Sequence, residues 1–407
     1  MRAVVTGTFS ALKHQNYRLW FAGQLVSLVG TWMQTTAQGY LIFQLTQSPV
    51  YLGYVSFASG MPSWLFTIYA GVIGDRMSRR TLLIITQTAM MVLAFILAGL
   101  VFSGTVQPWH ILILAFLLGI ANAFDAPSRQ AFVVELVERE DLTNAIALNS
   151  TMFNAATVVG PAVAGITYAL FGAGWCFSIN GLSFLAVIAA LVMMRLKPIE
   201  QVVKRSGRIL EEIKAGFSYV RSNSTVLMLI LNLGVISIFG NGLVTLVPDW
   251  AVKILGGDVT TNSALLSFRG AGALVGALLI ATLSRYRVKG KLWSYGSVVL
   301  PISMIFFAFM RGIPLSLFAM TIVGLSFMLT VNTTNALVQT QIPDHLRGRV
   351  MGIYTLIFFG GMPVGSLLTG VLAKYIGETQ VVILSAVILA VFAFYIWFRR
   401  PELRRLD

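Results

Sequence analysis

The chain has 407 residues, of which 57% are hydrophobic and only 11% charged, and its mean hydropathy is +0.81. A soluble domain carries roughly a quarter charged residues, so this composition excludes one and predicts an integral membrane protein. The net charge of +14 does not indicate nucleic-acid binding, because the basic residues are dispersed beside apolar runs, where anionic lipid headgroups attract them. The single cysteine, Cys176, excludes an intramolecular disulfide framework and metal clusters built on thiolates.

Twelve apolar runs follow one another along the chain, and each is long enough to cross a bilayer. A helix needs about 20 apolar residues to span about 30 Å of hydrocarbon, and continuous runs favour helices over a barrel. The sequence therefore predicts an all-α integral membrane protein with twelve transmembrane helices. The predicted spans lie near residues 18–45, 50–72, 81–103, 108–126, 145–171, 174–194, 225–252, 261–284, 292–311, 314–340, 350–373 and 380–398. The segment before them lacks the apolar core and cleavage site of a signal peptide, so none is expected.

The basic residues predict how these spans are oriented. All but four of the 29 lysines and arginines fall in segments on one side of the predicted membrane. The exceptions are Lys253, Arg269, Arg311 and Lys374. By the positive-inside rule the basic side faces the cytoplasm, which predicts a multi-pass protein of the plasma (inner) membrane with both termini in the cytoplasm.

A long polar interruption divides the spans six and six. It covers residues 196–224 and predicts an N-terminal bundle, 1–195, and a C-terminal bundle, 225–407. Within the interruption, apolar side chains recur at helical spacing opposite charged ones, which favours an amphipathic helix on the cytoplasmic leaflet over a solvated linker. These side chains are Ile209, Ile213, Phe217 and Val220 on the apolar face, with Glu211, Glu212 and Lys214 opposite.

The two halves resemble each other at an offset of about 200 residues. Gly119 corresponds to Gly324, and Gly160-Pro161 corresponds to Met362-Pro363. Two related halves in parallel orientation are a recurrent construction of transporters, in which a substrate site at the interface opens to either side.

Between the second and third spans the chain reads Gly71-Val72-Ile73-Gly74-Asp75-Arg76-Met77-Ser78-Arg79-Arg80. This segment resembles the loop signature of the major facilitator superfamily, with Ser78 where a glycine is usual. Asp75 can lie against a helix N-terminus, and Arg76, Arg79 and Arg80 can pair with acids on neighbouring helix ends, so we expect a conformational latch. The alternative is that these arginines only determine topology. The corresponding stretch of the second half, from Ser284 to Lys289, keeps the basic residues and has no acid, so any latch is asymmetric.

The fifth span contains Gly160-Pro161 and, four residues later, Gly165. This pattern is similar to the Gly-Pro motif of exporters in the superfamily, although Ala156 stands where the family form has a glycine. Proline kinks a membrane helix, and small residues permit close contact with a neighbour.

A more specific likeness lies in the run Asp125-Ala126-Pro127-Ser128-Arg129-Gln130-Ala131-Phe132, together with Gln339-Thr340-Gln341-Ile342-Pro343-Asp344 and Arg347-Gly348-Arg349-Val350. It resembles the transmembrane secretion effector (DHA3) group, the branch that contains the enterobactin exporter and macrolide efflux proteins. The resemblance implies twelve helices in two bundles and export of drugs or metabolites driven by the proton gradient. It also implies that Asp75 meets the start of the eleventh helix near Arg349. In the same way, Arg79 is expected to pair with an acid at the cytoplasmic end of the fourth helix, for which Asp125 is the candidate.

Members of this superfamily line their central cavity with the first, fourth, seventh and tenth helices. The amides on the corresponding spans are Gln34, Gln38, Asn122, Asn232, Asn241, Asn332, Asn335 and Gln339. Together they favour a cavity of amide character. Each one taken alone is equally explained as a hydrogen bond between helices, worth about 0.6 kcal/mol in a bilayer.

Two ionisable residues stand inside spans, where charge is costly and therefore functional by default. Asp249 lies near the outer end of span seven, and Arg269 lies in span eight. The first interpretation is a neutralising ion pair between them. The second is a proton switch, in which protonation of Asp249 releases Arg269 to engage an anionic group of the substrate.

The leading interpretation is a proton-linked exporter of amphipathic small molecules, such as a drug or siderophore. The alternatives are a lipid or lysolipid transporter of the same fold and, from another class, a non-transporting membrane receptor or assembly partner. His14, His110 and His345 are scattered, and the sequence contains neither a nucleophile motif nor a phosphate-binding glycine loop, so neither an enzyme nor an ATP-driven pump is predicted. The expected partners are a small-molecule substrate, protons and the bilayer. No cofactor or metal is expected, and a monomer is the default.

Overall fold

In a computed structural model of the chain, the backbone is described for residues 9–196, 209–283, 286 and 288–406. Within these ranges, the side chains of residues 67, 68, 70–72, 74–76 and 209–213 are not described. The described residues form helices and connecting turns and contain no strand. The all-α prediction is therefore confirmed for this part of the chain.

Thirteen helices, numbered α1 to α13 in chain order, account for most of the described residues. They are α1 Gln15–Thr46, α2 Pro49–Arg76, α3 Arg79–Phe102, α4 Pro108–Val133, α5 Leu142–Phe171, α6 Ala173–Met193, α7 Ile209–Ser222, α8 Ser224–Ile254, α9 Val259–Leu283, α10 Lys289–Phe309, α11 Ile313–Gln341, α12 Asp344–Ile376 and α13 Glu378–Arg399. Ten of these, α3 to α6 and α8 to α13, are long and apolar enough to cross a membrane. Helices α1 and α2 are of similar length, at 32 and 28 residues.

The same tight reversal joins the last two helices of each half. Gly172 connects α5 to α6 and Gly377 connects α12 to α13, and both have φ of 87°. Side chains rarely tolerate this backbone conformation, which explains a glycine at each place. The recurrence at an offset near 200 residues agrees with the repeat in the sequence.

Helix α8 is irregular where the sequence predicts a continuous span. Wider π-type turns occupy Ile236–Gly240 and Trp250–Ile254, and Pro248 lies between them. Proline removes a backbone donor, and π turns shift the following side chains around the helix axis. Asp249 stands in this irregular region and is fully buried.

The helices separate into two compact units. The N-terminal unit comprises residues 1–45 and 61–204, and the C-terminal unit comprises residues 46–60 and 205–407. Aromatic side chains fill the core of each, with Tyr17, Trp20 and Phe132 in the N-terminal unit and Trp250 and Phe307 in the C-terminal unit.

Helix α7, in the interruption between the halves, packs on α12 within the C-terminal unit. The hydroxyl of Tyr219 donates a hydrogen bond to the carbonyl oxygen of Gln341 at 2.9 Å, and Gly216 lies against Arg349. Val220 is buried in the same contact, whereas Phe217 is 49% exposed. The predicted apolar face is therefore split between a helix contact and an exposed aromatic ring; Ile209 and Ile213, also on that face, lie outside the described side chains.

Candidate functional site

A cavity of about 210 Å³ lies within the N-terminal unit, among five of its helices. Its lining combines aromatic and aliphatic side chains with hydroxyls, amides and one acid–base pair. The lining residues are Ser27, Leu28, Thr31, Trp32 and Thr35 of α1, Gln87 and Met90 of α3, Asn122, Asp125 and Arg129 of α4, Phe153 of α5 and Phe184 of α6.

The polar part of the lining is organised around the carboxylate of Asp125, which is 1% exposed. Thr86 Oγ1 and Gln87 Nε2 each donate to Asp125 Oδ1 at 2.9 Å. Arg129 Nε lies one helical turn further along α4, 3.8 Å from Asp125 Oδ2. A carboxylate buried in a membrane protein needs such donors, and here helix α3 supplies two of them.

Arg129 lines the cavity because it belongs to helix α4, which continues beyond the end of the predicted span. The sequence places the end of the span near residue 126 and assigns Arg129 to a cytoplasmic loop, but the helix continues through Pro127 to Val133. The side chain of Arg129 is 23% exposed, and its only ion pair among the described residues is the loose one with Asp125. Its guanidinium therefore has donors left for a ligand.

Gln87 gives a second indication of a ligand. The side chain is 2% exposed, and its Oε1 has no hydrogen-bond partner among the described residues. An unpaired buried acceptor costs about 1–3 kcal/mol, and a bound donor or water would relieve this cost. An acceptor on α3 and a cation on α4 thus line one cavity.

An aromatic pair forms part of the wall. The rings of Trp32 and Phe153 meet edge to face, with centroids 5.8 Å apart and planes at 76°. Concave sites lined mainly by apolar and aromatic groups, with a few polar groups that fix orientation, are typical of small-molecule binding. This lining suits an amphipathic ligand.

The predicted latch has a different acid from the expected one. Arg79 Nη1 donates to Glu135 Oε1 at 2.6 Å and to the carbonyl oxygen of Ala131 at 3.1 Å, so Glu135 rather than Asp125 is its partner. The reason is height along the helices: Arg79 is the first residue of α3 and Glu135 follows the end of α4, whereas Asp125 lies more than two turns deeper. Burial raises the pKa of Glu135, and the Arg79 guanidinium opposes this rise.

The other latch residues are only partly described. Arg80 Nη2 donates to the carbonyl oxygen of Val192 at 2.8 Å, at the end of α6. The surroundings of Gly71 and the side chains of Asp75 and Arg76 are not described. The expected contact between Asp75 and Arg349 therefore stays a prediction.

The Gly-Pro motif lies where α5 crosses α1. A methyl group added to Gly160 would overlap the Cβ of Trp32 and come 3.0 Å from the carbonyl oxygen of Val29. Pro161 and Gly165 are buried within α5. The motif therefore permits close helix packing next to a cavity-lining tryptophan.

The predicted amides are divided between the two units. Asn122 lines the cavity, while Gln34 accepts a hydrogen bond of 2.6 Å from Asn180 and thus joins α1 to α6. Gln38 is buried. The remaining amides belong to the C-terminal unit: Asn232 donates to Ser297, Asn241 is half-buried at an irregular turn of α8, Asn332 is exposed, and Asn335 accepts from Gln339.

Asp249 and Arg269 do not form the expected pair. Lys253 Nζ lies 2.9 Å from Asp249 Oδ1 and 3.3 Å from Glu378 Oε1, so this one ammonium serves two acids. The guanidinium of Arg269 lies instead over the ring of Phe327, 5.3 Å from its centroid. Lys253 is one turn from Asp249 on the same helix, which makes it the nearer cation.

Comparison with known proteins agrees with this architecture. The model of the transmembrane secretion effector family, within the major facilitator superfamily, matches residues 6–407. The solved nucleoside transporter NupG superimposes with a TM-score of 0.73 at 15% identity, covering 94% of this chain and 98% of that one. A bacterial homologue of the lysosomal transporter Spinster gives a TM-score of 0.72 at 14% identity, covering 96% and 98%. These likenesses show the fold.

Several relatives of similar length are transporters. The staphyloferrin A transporter of Staphylococcus aureus is 23% identical and covers 88% of this chain and 90% of its own. Macrolide efflux protein A of Streptococcus pyogenes is 25% identical, with coverage of 97% and 99%, and the multidrug efflux pump Tap of Mycolicibacterium fortuitum is 26% identical, with coverage of 94% and 95%. The predicted family is confirmed, and its members are membrane transporters rather than enzymes. The chain belongs to the transmembrane secretion effector family of the major facilitator superfamily.

Proposed function

We propose that this protein exports amphipathic small molecules across the plasma (inner) membrane by proton antiport. In this proposal α1 to α6 and α8 to α13 are the twelve transmembrane helices, both termini face the cytoplasm, and a monomer suffices. The two halves expose the substrate site alternately to either side, and the Asp75–Arg349 contact holds one of these states. Family membership and the repeat of the two halves support this view.

The observation that carries the proposal is the cavity of the N-terminal unit. Its wall offers aromatic rings, the Arg129 guanidinium and Gln87 Oε1, which has no hydrogen-bond partner in the described part of the chain. Together these groups match a ligand with an apolar body and at least two polar groups. The relatives' names include a siderophore transporter and a macrolide efflux protein, and both kinds of cargo combine polar groups with a sizeable carbon skeleton. A drug, a siderophore or a similar metabolite is therefore the proposed cargo.

Transport into inside-out vesicles tests the proposal. We expect at least one member of a panel of lipophilic dyes, macrolides and polycarboxylate or catecholate siderophores to accumulate when the vesicle interior is acidified. Collapse of the pH gradient with nigericin should abolish this accumulation. Vesicles from cells that express the Arg129→Met protein at equal level are the matched control, because this variant lacks the cation that lines the cavity.

Failure of the wild-type protein to accumulate any compound would overturn the proposal. No accumulation of any panel member by the wild-type protein, under a gradient that drives a known proton antiporter in parallel vesicles, contradicts drug and siderophore export. Movement of a fluorescent lysolipid between leaflets in the same vesicles would then identify a lipid transporter. If neither occurs, a receptor or assembly role is the remaining alternative.

A further inference from the structure

A group of three charged side chains lies at the end of α8 that the basic-residue pattern predicts to face outward. It consists of Asp249 and Lys253 of α8 and Glu378, the first residue of α13, and all three belong to the C-terminal unit. We call it the outer charge cluster. Neither Lys253 nor Glu378 stands out in the sequence, because each falls beside a predicted span end, where charge is ordinary.

The cluster has one more negative charge than positive. Asp249 is fully buried, the Glu378 side chain is 17% exposed, and one ammonium lies within 3.3 Å of both acids. An uncompensated charge inside a membrane protein is costly. One additional proton makes the cluster neutral.

The surroundings of Asp249 also indicate that the cluster requires a proton. Neither carboxylate oxygen accepts an aligned hydrogen bond from a described residue, although the Lys253 ammonium is close enough for an ion pair. The Glu378 carboxylate reaches the same ammonium, so two acids lie against one cation. Two carboxylates cannot hydrogen-bond to each other unless one of them carries a proton. A proton on either acid would therefore remove the repulsion between the two negative charges.

The described parts of the neighbouring helices supply no other charge to this place. Helix α9 packs against the end of α8, and its cation, Arg269, is engaged with the ring of Phe327. On α12, the ammonium of Lys374 lies 6.0 Å from the ring centroid of Tyr375. The exposed Asp258, before α9, accepts hydrogen bonds from Thr260. Arg311, after α10, donates to the carbonyl oxygens of Ala308 and Met310. Among the described residues, Lys253 and Glu378 are thus the charges that face Asp249.

We propose that Asp249 and Glu378 share the coupling proton, with Lys253 as the fixed positive charge between them. The inference rests on proton-coupled export and names the site that such coupling requires. Binding of one proton neutralises the cluster and lets the start of α13 lie against the end of α8. Release of the proton restores the repulsion between the two carboxylates, so the packing of these helix ends depends on protonation.

Chemical labelling tests proton binding without any substrate. N,N′-dicyclohexylcarbodiimide couples to protonated carboxyl groups in apolar surroundings, and peptide mass spectrometry locates the adduct. We expect the purified wild-type protein to be labelled at Asp249 or Glu378, at a rate that rises as the pH falls. The Asp249→Asn/Glu378→Gln double variant should lose this label. Asp258→Asn is the matched control, because asparagine also caps a helix and the site is exposed.

Transport then separates the two proposals. We expect Asp249→Asn and Glu378→Gln to lose at least tenfold in gradient-driven accumulation, while exchange of labelled for unlabelled cargo without a gradient stays within twofold of the wild type. Gradient-driven transport that persists in both variants overturns this inference and leaves export intact. Absence of all transport in the wild type overturns the proposed function, and the labelling result still decides whether the cluster binds a proton. Absence of an adduct at both Asp249 and Glu378 in the wild-type protein at low pH contradicts the cluster directly.

Discussion

Individual side chains determine what the cavity of the N-terminal unit can hold. Gln87 has two roles there, because its Nε2 donates to Asp125 while its Oε1 has no partner among the described residues. The carboxylate thereby orients the amide and leaves its acceptor available. A polar group fixed in this way loses little entropy when a ligand binds, which favours affinity.

We expect Gln87→Leu to weaken cargo binding about fivefold, because a hydrogen bond contributes about 1 kcal/mol. Binding is measured by fluorescence titration with any panel member that the wild-type protein transports. Gln24→Leu is the matched control, since Gln24 is equally buried in the same unit and does not line the cavity. Equal weakening in the two variants would mean that the effect is one of stability rather than of contact.

The pair formed by Glu135 and Arg79 makes a prediction about pH. Burial raises the pKa of Glu135 above 4.5, so the folded protein takes up this proton more readily than the unfolded chain does. The stabilising contribution is therefore complete below the ordinary glutamate value and is lost as the pH rises through the folded value. We expect the difference in Tm between the wild-type protein and Glu135→Gln to fall as the pH rises from about 4 to about 7. A difference that grows with pH would mean that Arg79, not burial, dominates.

Among the helices, the crossing of α5 over α1 depends on the missing side chain of Gly160. Its position against Trp32 and the backbone of Val29 leaves no room for a methyl group. An equivalent contact occurs in the second half, where Gly365 of α12 lies against the backbone of Ile238 in α8. Both contacts belong to the Gly-Pro region of their half, which explains why small residues recur there.

We expect Gly160→Ala to lower the stability of the protein by about 1–3 kcal/mol, because overpacking forces the two helices apart. The measurement is the thermal unfolding midpoint in detergent, followed by size-exclusion chromatography. Gly99→Ala is the control: nothing lies within 4 Å of its added Cβ, so the same change in helix α3 should raise stability by about 0.5–1 kcal/mol. A Gly160→Ala protein as stable as Gly99→Ala would contradict the close packing.

Hydropathy predicts the existence of a membrane helix better than it predicts where the helix ends. Apolar length identifies α4, but its last turns are polar, and hydropathy assigned Arg129 to a loop. The resemblance places the partner acid of Arg79 at the cytoplasmic end of the fourth helix, and the early end of the predicted span makes Asp125 the candidate; the helix ends later, and the partner is Glu135. When a helix extends past its apolar region, the polar side chains of its last turns can face the protein interior. Their positions depend on the fold and cannot be derived from hydropathy.

For the molecule as a whole, the basic residues predict that both termini face the cytoplasm. The single cysteine, Cys176, is fully buried, so it provides a silent background for labelling. We expect a membrane-impermeant maleimide to label Thr105→Cys in intact cells and to label Glu402→Cys only after the membrane is opened. Both positions are exposed in the structure. The reverse pattern would contradict the predicted orientation, and labelling of the wild-type protein would contradict the burial of Cys176.

The membrane class, the all-helical fold and the family follow from hydropathy, charge and motifs, and comparison confirms them. The site follows less well. Asn122 is the one predicted cavity amide that lines the cavity of the N-terminal unit, whereas Gln87, Thr31 and Phe153 carry no signal in a single sequence. A polar or aromatic residue in a membrane helix has the same appearance whether it faces a neighbour or a cavity, so the choice depends on tertiary packing.

The repeated reversal at Gly172 and Gly377 indicates that the two halves arose by duplication. Halves that share a turn with the same positive φ at glycine have the character of a duplicated ancestor, in which each position once had a redundant copy. One copy can then keep the scaffold while the other diverges. Asp125 and Arg129 occur in the first half, and Asp249, Lys253 and Glu378 in the second. The proposed cargo site and the proposed proton site therefore lie where the two halves differ, not where they are alike.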